Sequence, residues 1–275
     1  MHPDDTPDST WPTFCLSIAG IGVSVACNDD PLVEQLSWRY REFPLEGDVQ
    51  FAIRVELMER EGYGAFLEVD TAFRESVMEF KSPAYEGFVD TRKGYGQLSL
   101  SSAHPQDEVE YFLRVVYSLL VFNEGGLLFH AAGIVRWGRA YLFFGHSGSG
   151  KTTVSRLSSD NVVLNDDLIV LLPQMEGWIA YATPFWNPTQ VRPTSNSAPV
   201  AGLFRLVQDK DVFLEVMGKG QALAEMVASV PVIPDDRSRG GELMARCGSL
   251  LEKVPAHLLH FLPDSSFWGV VEEIG

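Results

Sequence analysis

The stretch Tyr141-Leu-Phe-Phe-Gly145-His-Ser-Gly-Ser-Gly150-Lys151-Thr152-Thr153 decides the reading of this chain. An apolar run ends in Gly-x-x-x-x-Gly-Lys-Thr, the spacing of a phosphate-binding loop (P-loop, or Walker A motif). Gly145, Gly148 and Gly150 let the backbone turn tightly and approach oxygen atoms closely. The successive N–H groups around Ser147, Ser149 and Thr153 then form a concave anion site at the start of a helix. Lys151 can reach the β- and γ-phosphates, and the Thr152 hydroxyl can ligate Mg²⁺. The expected ligands are ATP and Mg²⁺.

Upstream, Leu127-Leu-Phe-His130-Ala-Ala-Gly-Ile-Val-Arg-Trp137 and Ala140–Phe144 flank Gly138-Arg139. This predicts a hairpin whose two-residue turn has Gly138 first, as type II′ prefers. In that register Phe144 faces Gly133, and His130 comes level with Ser147. His130 therefore becomes a candidate for the site, whereas His146 occupies a variable position of the motif and is read as incidental.

Downstream, Thr152 to Leu157 predicts a short helix. The branched run Val162-Val-Leu-Asn165 follows and ends in Asp166-Asp167. In a parallel strand–helix–strand unit the carboxyl ends of both strands lie on one edge, so the short connection brings both acids beside Lys151. One carboxylate can hold Mg²⁺, and the other can accept a proton from an attacking hydroxyl. The spacing does not decide which does which. The assignment adopted is Asp166 with Thr152 toward the metal, and Asp167 as base with Lys151 and His130 beside it.

His130-Ala-Ala-Gly, a short hairpin, Gly145-x-Ser-Gly-x-Gly150-Lys151-Thr152 and then Asn165-Asp166-Asp167 resemble the C-terminal catalytic domain of HPr kinase/phosphorylase. The similarity is closer to the shorter HPr-kinase-related proteins, including those linked to lasso and other modified peptides. It is strongest over 127–170 and weaker over 183–270. The resemblance implies a mixed α/β P-loop domain of the type shared with phosphoenolpyruvate carboxykinase. It also implies phosphoryl transfer to a serine, with one of the paired aspartates as base, and a homo-oligomer. The Gly-rich signature after the paired acids has no counterpart here, nor does its glutamate metal ligand. This weakens the case for HPr as acceptor and for phosphorylase activity. Arg192 is the nearest later cation that could touch phosphate, although a surface role is commoner for such an arginine.

The expected function is ATP- and Mg²⁺-dependent transfer to a hydroxyl, serine of a peptide or small protein. A nucleotide-binding partner or sensor and a small-molecule kinase are the alternatives. The formal net charge of −16 and pI near 4.7 argue against nucleic acid as a main partner. No apolar run is long enough to span a bilayer. Residues 1–12 read as a disordered lead-in without signal-peptide features. Cys15, Cys27 and Cys247 read as buried free thiols of a cytoplasmic protein.

Three parts are expected. Residues 1–12 form the lead-in, 13–104 a β-rich accessory domain, and 105–275 the kinase-like domain. In the accessory part Phe14–Cys27 reads as a strand or hairpin and Pro31–Phe43 as a helix. Val49–Met58, Gly64–Val69, Phe73–Phe80 and Gly87–Leu100 read as an antiparallel meander. Gln106–Asn123 is the clearest helix. Later come a strand at Trp178–Tyr181, a stiff loop Thr183–Pro188, a loop at Asn196–Pro199, strands near 202–208 and 212–216, and helices near 220–230, 239–254 and 265–274. His257 and His260 fall on a strand, where an odd separation sends them to opposite faces and forbids joint chelation.

Overall fold

The computed structural model describes residues 11–58, 70–82, 84–101, 103–186 and 192–274. The expected strand at 64–69, residues 1–10 of the lead-in and the end of the stiff loop (187–188) lie outside the described residues. The chain divides into two compact units, Met1–Leu120 and Val121–Gly275.

In the first unit β1 (Thr13–Ile18) and β2 (Ile21–Cys27) form a hairpin, followed by α1 (Asp30–Tyr40) and β3 (Val49–Leu57). Asp29 caps α1 by accepting from Leu32 N at 2.8 Å, and proline opens its first turn. β4 (Asp70–Arg74), β5 (Val77–Lys81), β6 (Tyr85–Asp90) and β7 (Tyr95–Leu100) complete a sheet ordered β1-β2-β3-β7-β6-β5-β4.

The expected meander is only half right. β3 runs parallel to both β2 and β7, and α1 supplies the crossover that a parallel pair requires. The expected single strands at 73–80 and 87–100 are each a hairpin, β4–β5 and β6–β7. Glu75 makes the first of these turns with a positive φ of 54°. Cys15 also departs from expectation. It is exposed, because period-two alternation puts Phe14 and Leu16 inward and Cys15 outward, whereas Cys27 and Cys247 are buried.

The helix α2 (Pro105–Asn123) lies mostly within this unit, so the division falls later than the boundary expected before Pro105. Its side chains explain why. Tyr117 donates to Ile21 O at 3.1 Å, and Glu110 pairs with Arg39 of α1 and with Arg114.

The second unit carries β8 (Leu127–Arg136), β9 (Arg139–Phe144), α3 (Lys151–Leu157), β10 (Val162–Asn165), β11 (Leu168–Gln174), β12 (Gly177–Tyr181) and β13 (Ser197–Gln208). It ends with β14 (Phe213–Val216), α4 (Lys219–Ala228), α5 (Gly240–Lys253), β15 (Ala256–Phe261) and α6 (Phe267–Val271). β11 was not among the expected strands, although Leu168–Leu172 is a continuous apolar run. β13 starts at Ser197, so the expected loop at 196–199 is mostly strand, paired with β12. Thr183 and Phe185 have no exposed surface, so the described part of the stiff loop is a packed turn.

Five strands pair in a closed circuit, β8–β11–β12–β13–β9 and back to β8. β9, β13 and β15 are parallel, so Phe144, Gln208 and Phe261 end on one edge. β10 is antiparallel to β8, as β9 is, so it runs with β9 and delivers its carboxyl end to that same edge. One face of the sheet packs Ala132, Ile134, Phe143, Phe204 and Leu206 against Val154 of α3 and Phe267 of α6. Among the described residues no helix is long and apolar enough to cross a membrane.

Candidate active site

The loop after β9 turns through three glycines with φ between +79° and +143° (Gly145, Gly148 and Gly150), a region that side chains other than glycine rarely adopt. Gly150 is doubly constrained. Its φ is +114°, and a Cβ there would stand 2.5 Å from Cζ of Phe261. Lys151 opens α3 and is buried, with Nζ donating to Gly145 O at 2.9 Å and lying 3.4 Å from His146 O. Burial lowers its pKa, and the nearby Asp167 and Asp166 carboxylates offset part of that shift. His146 points to solvent, with Nδ1 2.7 Å from Ser147 O.

The two acids occupy the joint between β10 and β11. Along β8, Asn165 pairs with Gly133 and Leu168 with His130. Between these points the strand leaves the ladder for two residues, Asp166 and Asp167. They differ sharply. Asp166 is 3% exposed, and neither carboxylate oxygen accepts a hydrogen bond of ordinary geometry. Burial pushes its pKa up to about 6, and the close Thr152 hydroxyl offsets only part of that. Asp167 lies at the rim, with Oδ1 3.0 Å from Nε2 of His130.

His130 thus reaches the site, although the hairpin register differs from expectation. The turn is Trp137-Gly138, both with positive φ (54° and 74°), the type I′ form. Arg136 therefore faces Arg139, and Phe144 faces Ala131 rather than Gly133. The slip is two residues. An even slip leaves every side chain on its expected face, so His130 still points to the side that carries α3. Its backbone N–H, beyond the end of β9, donates to Ser229 O at 2.7 Å.

His130, Ser147, Gly148, Gly150, Lys151, Thr152, Thr153, Asp166 and Asp167 line one cleft of about 320 Å³, together with Gln208. Gly145 and Ser149 are buried and are not among the lining residues. Arg192 is half-buried and is not among the lining residues. Gln208 was missed by sequence reasoning. It ends β13 and donates from Nε2 to Gly148 O at 2.9 Å, bracing the loop from outside. Its only sequence signal is a polar residue closing a strand that proves parallel to β9. His257 and His260 sit on β15 and point apart. His257 stacks on Phe204, while His260 bonds Asp209 and stacks on Phe213.

A family model described as SynChlorMet cassette protein ScmC matches residues 107–274, more than half of the chain. The chain belongs to that family. No curated protein matches it in sequence. Among solved structures it is similar to the Hpr(Ser) kinase/phosphatase from Coxiella burnetii, at 12% identity and a TM-score of 0.30, over 54% of this chain and 92% of that one. The ScmC match takes in the whole second unit up to Ile274, and with it every residue of the cleft.

The residues of this ScmC-family cleft suit a hard cation. A buried carboxylate without a donor, next to a hydroxyl, calls for a compensating positive charge. Among the described residues no group of three or more His, Cys, Asp or Glu side chains could hold a metal alone. Asp166 and Thr152 are neighbouring oxygen donors that such an ion could take in this cleft.

Proposed function

We propose that this chain is an ATP- and Mg²⁺-dependent kinase that transfers the γ-phosphoryl group to a hydroxyl, serine on a peptide or small protein. The observation that carries the reading is the division between the acids. Asp166 is buried and undonated beside Thr152, and Asp167 stands at the rim against His130. A binding module needs only the metal-directed acid. A second carboxylate, half-buried but reachable from the cleft and oriented, is what acceptor activation requires.

In this reading Lys151 leaves its loop carbonyls for the phosphates and stabilises the transferring group. Asp166 and Thr152 would hold Mg²⁺, which would supply positive charge against the phosphates. Asp167 accepts the proton of the acceptor hydroxyl as its oxygen bonds to the γ-phosphorus and the bond to the β-phosphate oxygen breaks, releasing ADP. His130, 3.0 Å from one oxygen of Asp167, orients that carboxylate for the acceptor. Gln208 keeps the loop in place while Lys151 moves.

The test is incubation with Mg²⁺ and γ-labelled ATP in the presence of peptides encoded beside the gene, with Lys151→Ala as control. Label should appear on an acceptor serine. Asp167→Asn should bind nucleotide but transfer about 10²–10⁴-fold more slowly. Label found only as free phosphate, or normal transfer by Asp167→Asn, would overturn the reading.

A further inference from the structure

Two neighbouring carboxylates with opposite fates need something to sort them. Asp166 and Asp167 lie where the strand has left β8, so no ladder hydrogen bond fixes their peptide planes. The residue before them does. Asn165 has no exposed surface, and its side chain makes five contacts of hydrogen-bond length. Oδ1 accepts from Asp167 N at 2.7 Å and from Leu168 N at 3.2 Å. Nδ2 donates to Thr183 O at 2.9 Å, to Phe185 O at 3.0 Å and, sharing a proton, to Thr183 Oγ1 at 3.1 Å. Thr183 Oγ1 closes the ring by donating to Leu168 O at 2.7 Å.

The partners fix the amide orientation. Two backbone N–H groups can only donate, and two carbonyls can only accept. A carboxylate at 165 would keep the shape and the acceptor side but face two carbonyl oxygens, a burial with no compensating partner. The chemistry of this position therefore selects asparagine.

We propose that Asn165, braced by Thr183, is the positioning residue that sorts the acids. By holding the Asp167 N–H it turns the Asp166 carboxylate inward to the cation and the Asp167 carboxylate outward to His130. Asn165 touches no reacting atom and acts through its neighbours. The claim rests on the kinase reading for its effect on transfer, but its effect on the metal-directed acid stands apart from that reading.

The experiment compares Asn165→Asp, Thr183→Val and Thr183→Ser in the full chain. Three things are measured: affinity for a fluorescent ATP analogue without Mg²⁺, the tightening produced by Mg²⁺, and kcat and KM of transfer. Asn165→Asp and Thr183→Val should bind the analogue without Mg²⁺ within about threefold of wild type, because the loop is intact. They should lose most of the Mg²⁺ tightening, and kcat should fall at least about tenfold with little change in KM for ATP. Thr183→Ser, which restores the hydroxyl, should recover both. Asn165→Asp with normal Mg²⁺ tightening and normal kcat would overturn the proposal. So would an equal loss of Mg²⁺-free binding, or unfolding of both variants, since the role would then be structural. If wild type itself transfers no phosphate, the kinase reading falls, and the Mg²⁺ tightening alone decides the role of Asn165.

Discussion

Asp166→Asn should make the protein more stable, although it removes a residue assigned to function. The Asp166 carboxyl titrates near 6 in the folded chain against 3.8 ordinarily, because burial penalises its charge. The folded state thus holds this proton more tightly than the unfolded state does. The stability associated with it is fully present below the ordinary value and is lost as pH rises through the folded one. The gap corresponds to about 3 kcal/mol of stability missing at neutral pH. Asp166 is 3% exposed, so solvent screening removes only part of this. An asparagine amide would also lack a full set of partners, which brings the expected gain to about 2 kcal/mol. Urea unfolding followed by tryptophan fluorescence, with EDTA present, measures it. The gain should shrink to near zero at about pH 4, where the folded carboxyl is protonated and the unfolded one is only about half ionised. Equal stability at neutral pH, or a gain that persists unchanged at about pH 4, would refute the argument.

Gly150→Ala should lower stability by about 2–4 kcal/mol, from a strained positive φ and a clash with Phe261. Adding Phe261→Leu should recover the clash part and leave the φ part, and a double-mutant cycle reads the coupling directly. Under native conditions near pH 8 a thiol reagent should modify Cys15 first, because it is exposed, although burial of part of it raises its thiol pKa somewhat. Cys247, buried with its thiol pushed up to about 12, should react only after denaturation, and Cys27 should be similarly slow.

Most of the candidate cleft could be read from the sequence because its parts are local. The glycine spacing fixes the loop, and a short helix between two strands that end on one edge fixes the approach of the acids. His130 was found by a hairpin argument with the wrong turn. It survived because faces repeat every two residues and the slip was two. What could not be read depends on distant partners. Gln208 matters only because β13 lies parallel to β9, a pairing between strands far apart in the chain. The fates of Asp166 and Asp167 are set by burial and by the Asn165–Thr183 ring, which joins residues that no local pattern connects. In the first unit the parallel pairing of β3 with β2 and β7 was hidden for the same reason: alternation along a strand reports its faces but not the direction of its neighbours.

The closed circuit of five strands constrains how this protein can change over generations. In an open sheet an edge strand can gain or lose one residue and slide. In a ring, a one-residue insertion within β8 would have to be absorbed by β9 on one side and β11 on the other, and it would turn His130 to the opposite face. Length variation among related chains should therefore gather at the turns, above all around Trp137–Gly138, while the span from His130 to the turn changes only in steps of two.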